Sequence, residues 1–168
     1  MEISDLVEKQ ADHWRVRLPS RRANALANAF SDYLGRKLPR PINEDTRYAI
    51  AYAVGEAIMN AVRHGNKYQG SKQVEIRYWI SEKRFKAIIK DEGEGFDIER
   101  WKSWYAKIKA MRKAGKSTTV AYHKLDERGA GAGLFLIHED MDEVKFNDCG
   151  NEITLLKRLN KASYAKIS

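Results

Sequence analysis

A chain of 168 residues, 43% hydrophobic and 32% charged, fits one globular domain with a real core, here expected to span residues 1–168. One cysteine, Cys149, excludes an internal disulfide. The opening MEISDLVEKQ is acidic and polar rather than a basic run leading into an apolar one, and the apolar stretch Leu134 to Ile137 is far short of the ~20 residues a membrane helix needs, so a cytoplasmic protein without a membrane span is expected.

The formal net charge of +8 is unevenly placed, since Arg100 to Leu125 holds eight of the 31 basic residues and none of the 23 acidic ones. This segment carries the whole excess. It reads either as a solvated helix face or as a patch facing phosphates or an acidic protein.

Taken in chain order, Trp14 to Leu18 alternates like a short strand, and Ser20 stands as the N-cap of a helix carrying Ala23, Leu26, Ala27, Phe30 and Leu34, with Gly35 ending it. After the Pro39 to Pro41 connector, Asn43 caps a second helix with Glu44 and Asp45 in its first turn, running to about Gly65. Val74, Ile76, Tyr78 and Ile80, then Phe85, Ala87 and Ile89, alternate on either side of the turn Ser81 to Arg84 and predict a hairpin. Ile98, Trp101, Tyr105, Ile108 and Met111 at spacings of three and four predict a third helix closed by Gly115. A glycine cluster then opens into the apolar LFLIHEDM, and Val144 to Phe146 and Ile153 to Leu159 flank the turn DCGN. Hairpins interleaved with helices predict an α+β fold, a two-layer sandwich with a mostly antiparallel or mixed sheet and helices on one face. No internal repeat or low-complexity tract interrupts it.

Three clusters carry chemistry. On the second helix Glu56, Asn60 and His64 recur every four residues and share one stripe. The Asn60 carboxamide oxygen suits Mg²⁺, a hard cation bound through few protein groups plus phosphates and waters, and Glu56 one turn away can deprotonate a nucleophile. Second, Asp91-Glu92-Gly93-Glu94-Gly95-Phe96 follows an apolar strand, where glycines let backbone approach a ligand and an aspartate can accept from an adenine amino group. Third, Gly129-Ala130-Gly131-Ala132-Gly133-Leu134 leads into an apolar helix whose first N–H groups form an anion site. Each alone also fits a plain surface helix, a glycine turn or a linker; together they describe an ATP site. A relaxed P-loop string, Ala110 to Ser117, follows a helix rather than a strand and is set aside in favour of a basic lid at about 99–128.

Read together, EAIMNAVRHGN, DEGEGF and GAGLFLIHEDMDEV resemble the signature boxes of the GHKL ATPase superfamily, and particularly its RsbW/SpoIIAB-like anti-sigma-factor serine-protein kinases. The resemblance covers roughly Leu18 to Leu159 and implies a histidine-kinase-like (Bergerat) ATPase domain. It implies Glu56 as general base, Asn60 as the Mg²⁺ ligand and Asp91 as the adenine contact. Gly93 and Gly95 shape the nucleotide wall, and Gly129, Gly131, Gly133 and Leu134 hold phosphates, with the extra Gly129 leaving that assignment open by one or two positions. The implied cofactors are ATP and Mg²⁺. The implied partners are an anti-anti-sigma protein of STAS type, phosphorylated on serine, and a sigma factor, with the chain as a homodimer. The long basic stretch with Trp101, Trp104 and Tyr105 departs from that pattern.

Competing readings are a binding module that uses ATP only to set its shape while sequestering a regulator, a detached histidine-kinase catalytic domain, and a nucleic-acid binder. None of His13, His64, His123 and His138 lies in a long helical hairpin, which disfavours the second. The aromatics of the basic segment sit at helix-core spacing, which disfavours the third.

Overall fold

The computed structural model describes residues 3–115, 131–160 and 163–164. Six strands, β1 (Val7–Lys9), β2 (Trp14–Pro19), β3 (Gln73–Ile80), β4 (Arg84–Lys90), β5 (Glu143–Phe146) and β6 (Glu152–Arg158), form one sheet in the order β1-β2-β3-β4-β6-β5. Four α-helices are described: α1 (Ala23–Lys37), α2 (Glu44–Asn60), α3 (Ile98–Lys113) and α4 (Gly131–Asp140).

Every pairing among the described strands is antiparallel, so of the mostly antiparallel or mixed sheet expected from the sequence it is the antiparallel arrangement that forms. The connections give the reason. Two helices between β2 and β3 return the chain to the end it left, which sets the neighbours antiparallel, and β6 is inserted between the codirectional β4 and β5. The first short strand, β1, and the preceding 3₁₀ turn at Ile3–Leu6 have no alternation long enough to signal them in sequence.

Period-two alternation turns Val16, Leu18, Val74, Ile76, Tyr78, Phe85, Ala87, Ile89, Ile153 and Leu155 to one face, all buried. Phe30 and Leu34 of α1, Ile50, Val54 and Ile58 of α2 and Ile137 of α4 cover that face in a common core. Each such side chain, fully buried, contributes roughly 1.5–3 kcal/mol. α3 joins less deeply, through Trp104 and Ile108 against Phe135 of α4, with Trp101 reaching the main core. The opposite face of the sheet is polar, with Glu75 meeting Arg15 at 3.2 Å and Arg17 at 3.3 Å, and Arg77 meeting Glu152 at 3.2 Å.

Asn43 caps α2 as expected, its side chain accepting from the Thr46 N–H at 2.8 Å. Ser20 does not cap α1. It lies wholly buried in a 3₁₀ turn, its hydroxyl accepting from the Asn66 side chain at 2.9 Å, and α1 starts after Arg22. Nor does Gly35 end α1, which continues to Lys37 with the Leu38 N–H donating to Leu34. Among the described residues no helix is long and apolar enough to cross a membrane.

Candidate functional site

After Asn60 the second helix widens into a π turn, Ala61–Gly65, in which the Asn66 N–H donates to the Ala61 carbonyl at 2.8 Å. Such turns break the regular ladder and are frequent at functional sites. Asn66 itself is fully buried and ties four segments together: its Nδ2 donates to Ser20 Oγ and to the Gln73 carbonyl at 2.8 Å, and its Oδ1 accepts from the Glu92 N–H at 2.8 Å. The end of α2, the end of β2, the start of β3 and the loop after β4 are thereby fixed to one another.

That loop begins with Asp91, whose Oδ1 accepts from the Gly93 N–H at 2.8 Å and whose own N–H donates to the Asn151 carbonyl at 3.0 Å. Asp91 is only 8% exposed, and burial pushes its carboxyl up to about 6, with the Gly93 hydrogen bond and Lys72 opposing. The packing admits no side chain at several glycines. A Cβ on Gly65 would fall on the Asp91 carboxylate, and one on Gly93 on the Gly65 carbonyl. Gly95 has φ +81° and faces the Cys149 carbonyl, so it is required on both counts.

A cleft of about 480 Å³ opens beside these groups, within the range of small-molecule sites. Asn60, Asp91, Gly95 and Leu134 line it, so the three sequence clusters do converge. Its apolar wall is Phe96, Trp101, Phe146 and Ile153, and Arg63, Lys67 and Arg100 bring cations to it. Trp101 stacks on His138 at 4.6 Å, and burial drives that imidazole down to about 4, leaving it neutral near pH 7.

Glu56 does not line the cleft. It sits beside Asn60 where α4 crosses α2, and a Cβ on Gly133 would meet Glu56 Oε2, with Asn60 Nδ2 at 3.8 Å. Gly131 and Gly133 form the first turn of α4, which places that helix start over the two α2 side chains. Gly129 lies outside the described residues, as does the 116–128 part of the expected lid; the remainder of that segment is α3.

The Asn60 Nδ2 is buried with no hydrogen-bond partner among the described residues, so this amide nitrogen is not committed to holding the fold together. No group of three or more His, Cys, Asp or Glu side chains able to hold a metal occurs among the described residues. A single carboxamide oxygen completed by phosphates and waters is the donor set Mg²⁺ accepts.

Sequence reasoning missed Asn66 and Asn151. The latter sits in the DCGN turn, read only as a turn, yet its Nδ2 donates to the Gly93 carbonyl at 3.2 Å and braces the acidic glycine loop. Nothing in a short polar turn signals a contact with a segment so distant in sequence.

A sequence profile described as a histidine kinase-like ATPase domain matches residues 19–157. Among curated proteins, the chain is 32% identical over 111 residues to a serine-protein kinase RsbW of Bacillus licheniformis, covering 65% of this chain and 62% of that protein. It is 34% identical over 110 residues to the RsbW of Bacillus subtilis (strain 168), covering 64% and 62%. It is 36% identical over 100 residues to that of Oceanobacillus iheyensis, covering 57% and 54%. The matched region thus spans less than two thirds of each of these relatives.

Proposed function

Because the chain belongs to the histidine kinase-like ATPase domain family, we propose that it binds Mg-ATP in this cleft and transfers the γ-phosphoryl group to a serine of a partner protein, as an anti-sigma-factor kinase. The observation that carries this reading is the placement of Glu56 and Asn60 side by side beneath the first turn of α4, next to the cleft that Asp91 lines.

In this reading Asp91 accepts a hydrogen bond from the adenine amino group, and Gly93 and Gly95 let the loop lie close to the base. The N–H groups at Gly131, Gly133 and Leu134, with Gly129 before them, hold the phosphates at the positive end of α4. Asn60 Oδ1 would be the protein ligand of Mg²⁺, which when bound would neutralise phosphate charge. Glu56 takes the proton of the serine hydroxyl as that oxygen bonds to the γ-phosphorus, while the bond to the β–γ bridging oxygen breaks and ADP leaves. The segment at 99–128 is the lid. The partners are a STAS-type anti-anti-sigma protein and a sigma factor, with the kinase a homodimer.

Calorimetric titration of ATP and ADP, with and without Mg²⁺, tests the pocket. Asp91→Asn should weaken binding about tenfold or more by removing an acceptor from a buried site. Glu56→Gln should retain nucleotide binding and lose about 10²–10⁴-fold in transfer of labelled phosphoryl. A wild type that binds neither nucleotide at millimolar concentration would sink the proposal. Binding with no transfer to any STAS-type protein would leave an ATP-dependent sequestering module.

A further inference from the structure

The helix that carries Glu56 and Asn60 carries more on the same stripe. Stepping back four residues at a time gives Tyr52, Tyr48 and Glu44, and side chains at that spacing lie one above the other along a helix. Tyr48 is 71% exposed, and its ring stacks on Tyr52 at 6.1 Å and 17°. Tyr48 is thus open to solvent, whereas Tyr52 below it is half-buried. The end of α4 lies alongside: partial burial, and then the nearby charges of Glu56 and Asp140, push the Tyr52 hydroxyl's pKa up. Leu136, one turn before Asp140, is 40% exposed. Two stacked phenols are thus bordered by Glu44, Glu56 and Asp140, and although Lys157 donates to the Asp140 carbonyl at 2.6 Å and offsets part of that last charge, the strip they form stays net acidic on a chain whose net charge is +8.

We propose that this strip is the docking surface for the polypeptide that brings the accepting hydroxyl to Glu56, and that it takes a segment carrying lysine or arginine beside that hydroxyl. The inference rests on Glu56 as the base. Its directional argument is continuity, because the strip runs without interruption into the Glu56 carboxylate along one helix. Its chemical argument is complementarity: tyrosine faces attract a guanidinium or ammonium, and carboxylates at both ends and at the side select the same charge. Nucleic acid is repelled by those carboxylates. The accepting segment reaches Glu56 from the α2 N-terminal side, so docking and nucleotide binding use separate surfaces.

Two labelled serine peptides of equal length, one with arginines flanking the serine and one with glutamates in their place, test this by fluorescence anisotropy with the full chain. The arginine peptide should bind about tenfold tighter than the glutamate peptide, and Tyr48→Ala and Glu44→Lys should each weaken it about threefold or more. ATP affinity, measured in the same samples, should be unchanged in both variants. Equal binding of the two peptides, no binding of either, or indifference to both substitutions overturns the proposal. So does a wild-type dimer that becomes monomeric with Tyr48→Ala, since the strip would then be covered by a second copy. A wild type that binds the arginine peptide but not ATP would instead fail the nucleotide reading and leave the strip standing.

Discussion

At the scale of the residue, Asp91 is where burial and binding pull against each other. Its carboxyl rises from the ordinary 3.8 to about 6 because it is desolvated, so the folded chain holds a proton that the unfolded chain has released. The cost of burying the ionised carboxylate is therefore fully present above pH about 6, and is relieved as pH falls from there toward the ordinary carboxylate range. Nucleotide binding responds with the opposite sign. Only the carboxylate offers both oxygens as acceptors, so ATP affinity should fall below pH about 6, by at most tenfold per unit, whereas the residual binding of Asp91→Asn lacks that component. Calorimetry of both proteins across that range checks it; parallel profiles would show that Asp91 does not titrate against the ligand. The placement of Asn60 and Glu56 on one helix stripe and of Asp91 at a strand end was legible in sequence because each has a fixed geometry. Asn66 and Asn151 were not, because their partners are backbone groups of segments tens of positions away, and Ser20 was misread because a buried hydroxyl and a capping hydroxyl look the same in a string.

At the scale of the element, α2 deserves the most weight, since it holds the Glu56 and Asn60 pair at one end and is anchored at the other by the Asn43 cap. Arg47, one turn in, donates to the carbonyls of Leu38, at 3.3 Å, and Pro39, at 3.0 Å, and so ties the start of the helix to the connector before it. Asn43→Ala removes the side-chain acceptor of the Thr46 N–H and should cost about 1 kcal/mol of stability. Because Asn43 lies at the far end of α2 from Asn60, ATP affinity in the folded variant should not change. Thermal unfolding with and without ATP separates the two effects: a lowered Tm with an unchanged ligand-induced increment is the expected result, and a lost increment would mean that the helix start is coupled to the cleft. The cap, the hairpin of β3 and β4 and the periodicity of α3 were all readable, since each is dictated by neighbours in sequence. The sheet order and the insertion of β6 between β4 and β5 depend on long-range pairing, for which the alternation of a single strand carries no partner information.

At the scale of the whole molecule, charge is the property that sequence located best and explained least. Within the described part of the basic segment, α3 turns Trp101, Trp104 and Ile108 inward, and leaves Arg100, Lys102, Lys107, Lys109, Arg112 and Lys113 exposed. Lys102 meets Glu99 at 2.7 Å and Arg112 meets Glu139 at 3.6 Å, so these two are partly neutralised. Arg100 borders the cleft itself. A field of one sign beside a binding site raises the encounter rate with an oppositely charged ligand, and it acts over about 10 Å at 0.1 M salt. ATP is such a ligand, so its association rate should fall steeply as salt is raised, while its dissociation rate, governed by contacts inside the cleft, should change little. Replacing Lys107 and Lys113 by glutamate should slow association about threefold or more at low ionic strength and make no difference at about 0.5 M, where screening leaves little field to remove. Stopped-flow quenching of Trp101, which lines the cleft, reads both rates. An association rate indifferent to salt and to the double substitution would mean that the basic face does not serve the nucleotide. Binding of single-stranded nucleic acid that weakens steeply with salt and ignores ATP would then explain why the excess charge is gathered in this one segment of the chain.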